Sequence, residues 1–378
     1  MPPFARNECV ADTILITGGA GFIGCHLAKA LLERGHRIRV LDALIEQVHG
    51  DTPRPLLPAD VELIRGDVRD EAAVARALRS VDKVVHLAAE VGVGQSMYAV
   101  ERYTSVNELG TAVLFQQLIA QPVQRVVVAS SMSIYGEGLY RDADNLLHED
   151  VTRGPRRPGQ GWDPVDSQGR PLRPVPTPES KRPALASVYA IGKFAQERMT
   201  LTLAPAYGME GVALRLWNAY GPGQALSNPY TGVLAIFAAR LLHGQSPMIF
   251  EDGEQRRDFV HVRDVARAFV LALETPQAAG QVYNIGSGLN RSVAEVALSL
   301  AAAMGRPEIA PEITGKARSG DIRHNIPDIG KAEAELGYAA SGDFTADLAE
   351  LAEWVAAQQA EDRVQQARHE LEARGLVA

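Results

Sequence analysis

The stretch Thr17-Gly18-Gly19-Ala20-Gly21-Phe22-Ile23-Gly24 decides the fold. It follows Thr13-Ile14-Leu15-Ile16, a short apolar, β-branched run that reads as a buried parallel strand. It leads into residues 22–35, where apolar side chains recur at helical spacing until Gly35 stops the helix. Strand, glycine turn and helix together form the context of a dinucleotide fingerprint. Gly18 permits the tight turn, and Gly21 lets the backbone approach a pyrophosphate. Gly24 lets the helix, with Phe22 and Ile23 in its first turn, lie close on the sheet. Free N–H groups at the helix start would bind the phosphates. The spacing Gly-x-x-Gly-x-x-Gly differs by one residue from the commonest dinucleotide pattern, and an ordinary glycine-rich turn reads the same way locally.

The residues downstream turn this weak motif into a strong one. Residues 38–41 form a second strand ending at Asp42, about 20 positions past the turn, where a carboxylate accepts from both ribose hydroxyls of NAD. A third strand, residues 61–65, leads to Gly66-Asp67-Val68, with Asp67 placed to accept from an adenine amino group and Val68 to pack on the ring. A fourth, residues 84–87, runs into Leu87-Ala88-Ala89, whose small side chains leave room on the nicotinamide side. Residues 100–120 are helical by period, with Asn107 and Thr111 near the middle. A fifth strand, residues 125–129, ends in Ser130-Ser131-Met132-Ser133. Strands alternating with helices imply an α/β fold, a Rossmann-type doubly wound parallel sheet with ligands across the carboxyl ends of its strands.

Residues 139–185 break the pattern. They are rich in proline and arginine with little apolar periodicity, and they read as a long insertion, either a partly ordered flap over the site or a disordered segment. Ser187 then opens a helix that carries Tyr189 and Lys193 at i and i+4, on one face. An ammonium beside a phenol favours the phenolate, so Tyr189 is the candidate general base and Lys193 its tuner and a ribose contact. Taken alone, Tyr-x-x-x-Lys occurs on many helices by chance. It gains meaning after a serine-ended strand in a dinucleotide fold.

A sixth strand, residues 211–216, precedes Trp217-Asn218, where the chain turns out of the sheet. Residues 257–262 read as an edge strand leading into a helix. Ser292-Val293-Ala294-Glu295 is a capping box. Residues 347–374 read as one long charged helix with a solvated or oligomer-facing surface. The expected division is a dinucleotide-binding domain over 1–220, a smaller, partly interleaved C-terminal α/β substrate domain over 221–345, and a C-terminal helix over 346–378.

Composition narrows the classes. A chain of 378 residues with 46% hydrophobic content is long enough for one large domain or two smaller ones. Its net charge of −8 argues against a nucleic-acid partner. Two cysteines, Cys9 and Cys25, are too few for a disulfide framework or a thiolate zinc site. No metal is expected, and His86 and His261 read as structural hydrogen-bonders. No stretch has the length and apolarity of a signal core or a bilayer span, so no membrane association and a cytoplasmic setting are expected.

Gly18-x-x-Gly21-x-x-Gly24, Asp42, Asp67-Val68, His86-Leu87-Ala88-Ala89, Asn107-x-x-Gly110-Thr111, Ser131 and Tyr189-x-x-x-Lys193 together resemble the extended short-chain dehydrogenases. Within that group they resemble the NAD-dependent nucleotide-sugar epimerases and dehydratases, over residues 13–331. The resemblance implies NAD as cofactor, a dTDP- or UDP-hexose as substrate, and a homodimer built on residues 100–120 and 187–207. It places Ser131 on the sugar 4-hydroxyl beside Tyr189, with Ser133 near the sugar. It puts Asn218 on the diphosphate, Arg257 and Arg318 as phosphate clamps, and Asp321 on the nucleoside ribose. Guanidiniums suit a pyrophosphate because they are bidentate and always charged.

One departure decides the reaction. The 4,6-dehydratases carry Asp and Glu after the Ser/Thr, whereas Met132 and Ser133 stand here, and neither does acid–base work on carbon. Decarboxylation of a hexuronate stays open by this criterion; the implied reaction is oxidation at C4, rotation of a 4-keto sugar and re-reduction, a 4-epimerisation. Residues 91–98, 130–138 and 224–232 resemble those of the dTDP-L-rhamnose 4-epimerase type, with dTDP-6-deoxy-L-talose as the product. The alternatives are a UDP-hexose or UDP-hexuronate 4-epimerase, a 4-ketoreductase, and a non-catalytic dinucleotide-binding sensor.

Overall fold

Apolar, β-branched runs set the strands, and glycine and proline set their ends. A computed structural model of the chain describes residues 11–50, 56–153, 161–228, 230, 232–317, 321–358 and 364–377. Strands β1 (Thr13–Thr17), β2 (Arg37–Asp42), β3 (Glu62–Arg65), β4 (Lys83–His86) and β5 (Arg125–Ser131) come first along the chain. The short strands β6 (Leu139–Arg141), β7 (Leu147–His148) and β8 (Arg173–Val175) follow. Next come β9 (Glu210–Leu216), β10 (Asn218–Tyr220), β11 (Met248–Ile249) and β12 (Arg256–His261). The last described are β13 (Val282–Ile285), β14 (Asn290–Ser292) and β15 (Glu312–Ile313).

Seven of these make one parallel sheet in the order β13-β9-β5-β4-β1-β2-β3. Alternation along its strands feeds two cores, one per face. Ile14, Ile16, Val85 and Val127 pack with Leu27, Leu31 and Phe269 on one side. Leu15, Val84 and Val126 pack with Val74 and Leu114 on the other. The strand order reverses at β1, which pairs with β2 on one side and β4 on the other. A crevice therefore opens at the carboxyl ends there. This is the doubly wound sheet that the glycine turn and the strand–helix alternation predict.

A second lobe carries the three-stranded sheet β10-β12-β14 and helices Val233–Leu242, Val293–Ala303 and Phe344–Ala356 around Phe237, Phe259, Leu300 and Leu351. The lobes interleave, because β13 returns from the second lobe to pair with β9. The capping box at Ser292 forms, with Glu295 N donating to Ser292 Oγ at 3.1 Å and Ser292 N to Glu295 Oε2 at 2.7 Å. Among the described residues no helix is long and apolar enough to cross a membrane.

Four expectations change. Residues 100–120 are not one regular helix, because Ser105–Leu109 winds as a π-turn. The extra residue brings Asn107 to Glu90, whose N–H donates to Asn107 Oδ1 at 2.7 Å and whose carbonyl accepts from Nδ2 at 3.1 Å. The segment at 256–261 is not an edge, since β12 pairs with β10 on one side and β14 on the other.

The insertion folds as its own antiparallel sheet, β7-β6-β8. It is anchored by Thr177 Oγ1, which accepts from Leu139 N at 3.0 Å, and by the bridge from Thr177 to Pro327. Finally, the charged stretch 347–374 is not one helix. Phe344–Ala356 buries Leu348, Leu351 and Val355 in the second core, and a separate helix, Val364–Glu372, follows.

Candidate active site

A single cavity of about 1140 Å³ runs from the glycine turn to the second lobe. It exceeds the ~300–1,000 Å³ of a typical single-ligand pocket. Gly18, Gly21, Phe22, Ile23 and Gly24 line it, at the start of the helix Phe22–Leu32. Gly18 takes φ +67°, and a Cβ on it would stand 2.7 Å from Ala88 N. At Gly24 a Cβ would collide with the Gly19 carbonyl. Only glycine allows this turn to sit so close to the end of β4.

Asp42, Asp67, Val68, Leu87, Ala88 and Ala89 line the cavity at the other strand ends. Asp42 accepts from Ala20 N at 3.0 Å and Leu44 N at 2.9 Å, which fixes the carboxylate against the glycine turn. Arg69 holds Asp67, donating from Nε at 2.9 Å and Nη2 at 2.7 Å, and these bonds draw the carboxyl below its ordinary range. Asn107 does not line the cavity. It is fully buried behind it, where it holds the backbone of Glu90.

Ser187 caps the helix Val188–Ala206, its Oγ accepting from Ala190 N at 3.1 Å. That start presents Tyr189 and Lys193 to the cavity beside Ser130, Ser131 and Ser133 at the end of β5. Ser133 Oγ donates to Ser131 Oγ at 3.0 Å, and Ser131 hydrogen-bonds the Tyr189 phenol. Burial raises the phenol above its usual range and the Ser131 bond opposes that rise. The lowered phenol that i,i+4 spacing predicts is thus not what the chain alone produces, because desolvation outweighs the opposing Ser131 bond.

Lys193 itself is buried, and desolvation brings its ammonium down to about 7. Its Nζ donates to Gln196 Oε1 at 2.9 Å. Gln196 Nε2 lies 3.2 Å from the Ala88 carbonyl and 3.1 Å from both His86 Nε2 and Thr111 Oγ1. His86 completes the network through Thr17 Oγ1 at 2.7 Å, and burial holds its pKa down at about 3, so the imidazole is neutral and structural. Gln196, which ties Lys193 to the end of β4, is a residue the sequence reading missed. Its only sequence signal is the spacing, one turn past Lys193.

The second lobe supplies the far wall. Asn218, Arg257 and Asp321 line it, together with Gln224, Gln255, Phe250 and Val293. Asn218 Nδ2 donates to the Asp258 carbonyl at 2.7 Å. Arg257 is buried and donates from Nη1 to the Arg323 carbonyl at 2.7 Å and from Nη2 to that of Ile322. The guanidinium therefore holds the backbone beside Asp321 as well as facing the cavity. Gln224 and Gln255 are buried, and each leaves its Oε1 without a hydrogen-bond partner among the described residues. Arg318 lies outside the described residues, as does Cys9. Cys25 lines the cavity near the glycine turn, and burial pushes its thiol up to about 12.

Two placements differ from the sequence reading. No described residue of the insertion lines the cavity. Instead it buttresses from outside: Arg153 bonds Glu137 at 2.8 Å, Glu251 at 2.5 Å and the Asp321 carbonyl at 2.9 Å. The charged C-terminal stretch, by contrast, does reach the site, through Trp354, Ala367, Arg368 and Leu371.

Away from the cavity, His261, Asp347 and Glu350 come together with potential ligand atoms within 4.8 Å of one another, a grouping the sequence reading did not foresee. Arg263 Nη2 already donates to Asp347 Oδ1 and Glu350 Oε2, each at 3.0 Å. A guanidinium thus stands where a cation would.

The chain has relatives in both sequence and fold. The model of the NAD dependent epimerase/dehydratase family matches residues 14–160 and 168–286. The dTDP-L-rhamnose 4-epimerase of Burkholderia thailandensis is 36% identical over 349 residues, covering 91% of this chain and 94% of that protein. The UDP-glucose 4-epimerase of Thermotoga maritima, solved with UDP-glucose, superposes with a TM-score of 0.74 at 30% identity, covering 90% of this chain and 98% of that one. That of Thermus thermophilus, solved with NAD, gives 0.72 at 30% identity over 92% and 100%. Matched by the family model over most of its length and similar to these relatives in sequence and fold, the chain belongs to the NAD-dependent epimerase/dehydratase family of extended short-chain dehydrogenases.

Proposed function

We propose that the chain is a nucleotide-sugar 4-epimerase, with dTDP-L-rhamnose and dTDP-6-deoxy-L-talose as its substrate pair. The observation that carries the reaction type is the end of β5. Ser131, bonded to the Tyr189 phenol, is followed in the cavity wall by Met132 and Ser133. A dehydratase needs an acid and a base at those two positions, and a thioether and a hydroxyl supply neither. The 36% identity to the B. thailandensis enzyme supports the sugar.

In this reading the glycine turn, Asp42, Asp67 with Val68, and Leu87 to Ala89 hold NAD, with Asn107 fixing the loop behind them. NAD supplies the oxidant for C4 and then the reductant. Tyr189 takes the 4-hydroxyl proton and returns it, and Ser131 carries the hydrogen bond between phenol and sugar. Lys193 contacts the ribose and favours the phenolate when charged. Ser133 orients Ser131. Asn218, Arg257 and Arg318 hold the diphosphate while the 4-keto sugar turns, and Asp321 holds the nucleoside ribose. A homodimer and a cytoplasmic setting go with this reading. The helices around residues 100–109 and 188–206 leave Val100, Leu109 and Ile191 exposed, an apolar face suited to a second copy.

Proton NMR of the purified protein with dTDP-L-rhamnose and no added cofactor tests the reading. The C4 epimer should appear and approach one equilibrium from either sugar. No turnover of this sugar, with turnover of a UDP-hexose, would overturn the substrate. No turnover of any of them would overturn the reaction.

Asp42→Asn tests the cofactor assignment. A charge-assisted hydrogen bond to ribose is worth about 1.5–3 kcal/mol, so NAD affinity should fall by roughly 10–100-fold. Loss of the negative charge should at the same time improve NADP binding, since its 2′-phosphate no longer meets a carboxylate. Titration of cofactor-stripped protein with each nucleotide reads both changes.

A further inference from the structure

The helix Val364–Glu372 contributes a cavity wall that the proposed reaction does not use. Ala367 and Leu371 on it are buried, and Leu371 packs on the loop after β4, where a Cβ built on Gly94 would stand 3.6 Å from both leucine methyls. One residue earlier, Glu370 Oε2 accepts from the Tyr98 and Tyr230 hydroxyls, each at 3.0 Å, and those hydroxyls lie 2.7 Å apart. Arg374, just past the helix, sets its guanidinium 4.3 Å from the Tyr98 ring centre. On the side of the second lobe, Lys316 Nζ donates to Glu372 Oε1 at 2.9 Å. The helix is thus tied at once to the loop after β4, to Tyr230 and to Lys316.

Arg368 lies on this helix and lines the same cavity as Tyr189, Asn218 and Asp321. Its Nε donates to Glu372 Oε1 at 2.9 Å, while Nη1 and Nη2 have no hydrogen-bond partner among the described residues. A guanidinium with two open donors in a partly desolvated wall is matched by an anion that accepts them in parallel. The pyrophosphate of NAD belongs at the glycine turn. Arg368 is anchored through Glu372 to Lys316, five residues before Asp321.

We propose that Arg368 binds the diphosphate of the nucleotide sugar, carried to it by a helix that the Tyr98–Tyr230–Glu370 contacts hold against the cavity. The assignment rests on the nucleotide-sugar reading above, and its test is a binding measurement that does not require turnover.

Isothermal titration of the full chain with dTDP and with UDP, for wild type, Arg368→Gln and Arg368→Lys, reads the contact directly. Arg368→Gln should weaken both diphosphates by 10-fold or more, while thymidine binding and the amount of NAD carried by the protein stay unchanged. Arg368→Lys should recover part of the loss, because it restores the charge without the fork. Leu371→Asp, which lifts the helix, should lose as much as Arg368→Gln. Arg306→Gln, an exposed arginine outside the cavity, should bind as wild type.

Equal diphosphate affinity in wild type and Arg368→Gln would overturn the proposal. So would an equal loss for thymidine, or a wild type that binds neither diphosphate. A wild type that binds diphosphates in this pattern yet epimerises no sugar would overturn the reaction and leave the contact standing.

Discussion

Replacing Tyr189 by phenylalanine should lower kcat by about 10²–10⁴-fold, the usual worth of a positioned general base. The fold and the affinity for the nucleotide sugar should stay close to wild type. The phenol sits on the second residue of a helix fixed by its own serine cap, and its ring is retained in the variant. What is lost is the oxygen that Ser131 hydrogen-bonds and that would take the C4 proton.

The pH profile sharpens the test. Burial keeps the phenol above its usual range, so only a small fraction is ionised at neutral pH, and that fraction grows tenfold with each unit. Wild-type kcat/KM should therefore rise with pH, less steeply above about 7 where Lys193 loses the charge that favours the phenolate, and the residual rate of the phenylalanine variant should not rise. A variant that keeps full activity, or keeps the alkaline rise, would remove Tyr189 from the chemistry.

The largest loss of stability should come from Arg215→Met. Arg215 on β9 is buried, and so is Glu197 on the tyrosine helix. The arginine donates from Nε to Glu197 Oε2 at 3.0 Å and from Nη2 to Oε1 at 2.7 Å. Its Nη1 reaches the Tyr135 hydroxyl at 2.6 Å and the Glu179 carbonyl at 2.9 Å. Ser130 Oγ, next to the candidate catalytic serine, donates to Glu197 Oε2 at 2.6 Å.

Removing the cation leaves a carboxylate buried without a counter-charge, at a cost of about 3–5 kcal/mol. Urea titration should show that loss. A second substitution, Glu197→Gln, should restore part of it by discharging the orphaned group. Strict additivity of the two would mean that the pair is not coupled.

The parallel sheet was legible because its signals are local. Each inner strand is a short apolar run, and each residue singled out beside it lies at a carboxyl end, so the fold gathers them into one crevice without further instruction. What stayed hidden depends on contacts distant in sequence. A π-turn adds one residue to a helical period and shifts the phase too little to read, although it is what turns Asn107 onto Glu90. The strands β6, β7 and β8 are two or three residues each, too short for alternation to show. Arg215 and Glu197 carry charges that sequence pattern assigns to the surface, and only the packing of β9 against the tyrosine helix buries them together. The charged residues 364–374 read as solvated by the same logic. Which face of that helix meets the cavity is decided by Leu371 and the two tyrosines, which lie far away in the chain.

The return of β13 to the edge of the large sheet has a consequence for how the molecule is made. Until residue 285 has left the ribosome, β9 has only one neighbour, and its other edge presents a row of open backbone donors and acceptors to any passing strand. A fragment ending at residue 220 would keep that edge for good and should aggregate rather than fold as an independent dinucleotide-binding half. The nascent chain must therefore make β10 to β12 and the helix Val233–Leu242, the first part of the second lobe, before the first lobe is closed, so the two lobes should melt as one cooperative unit.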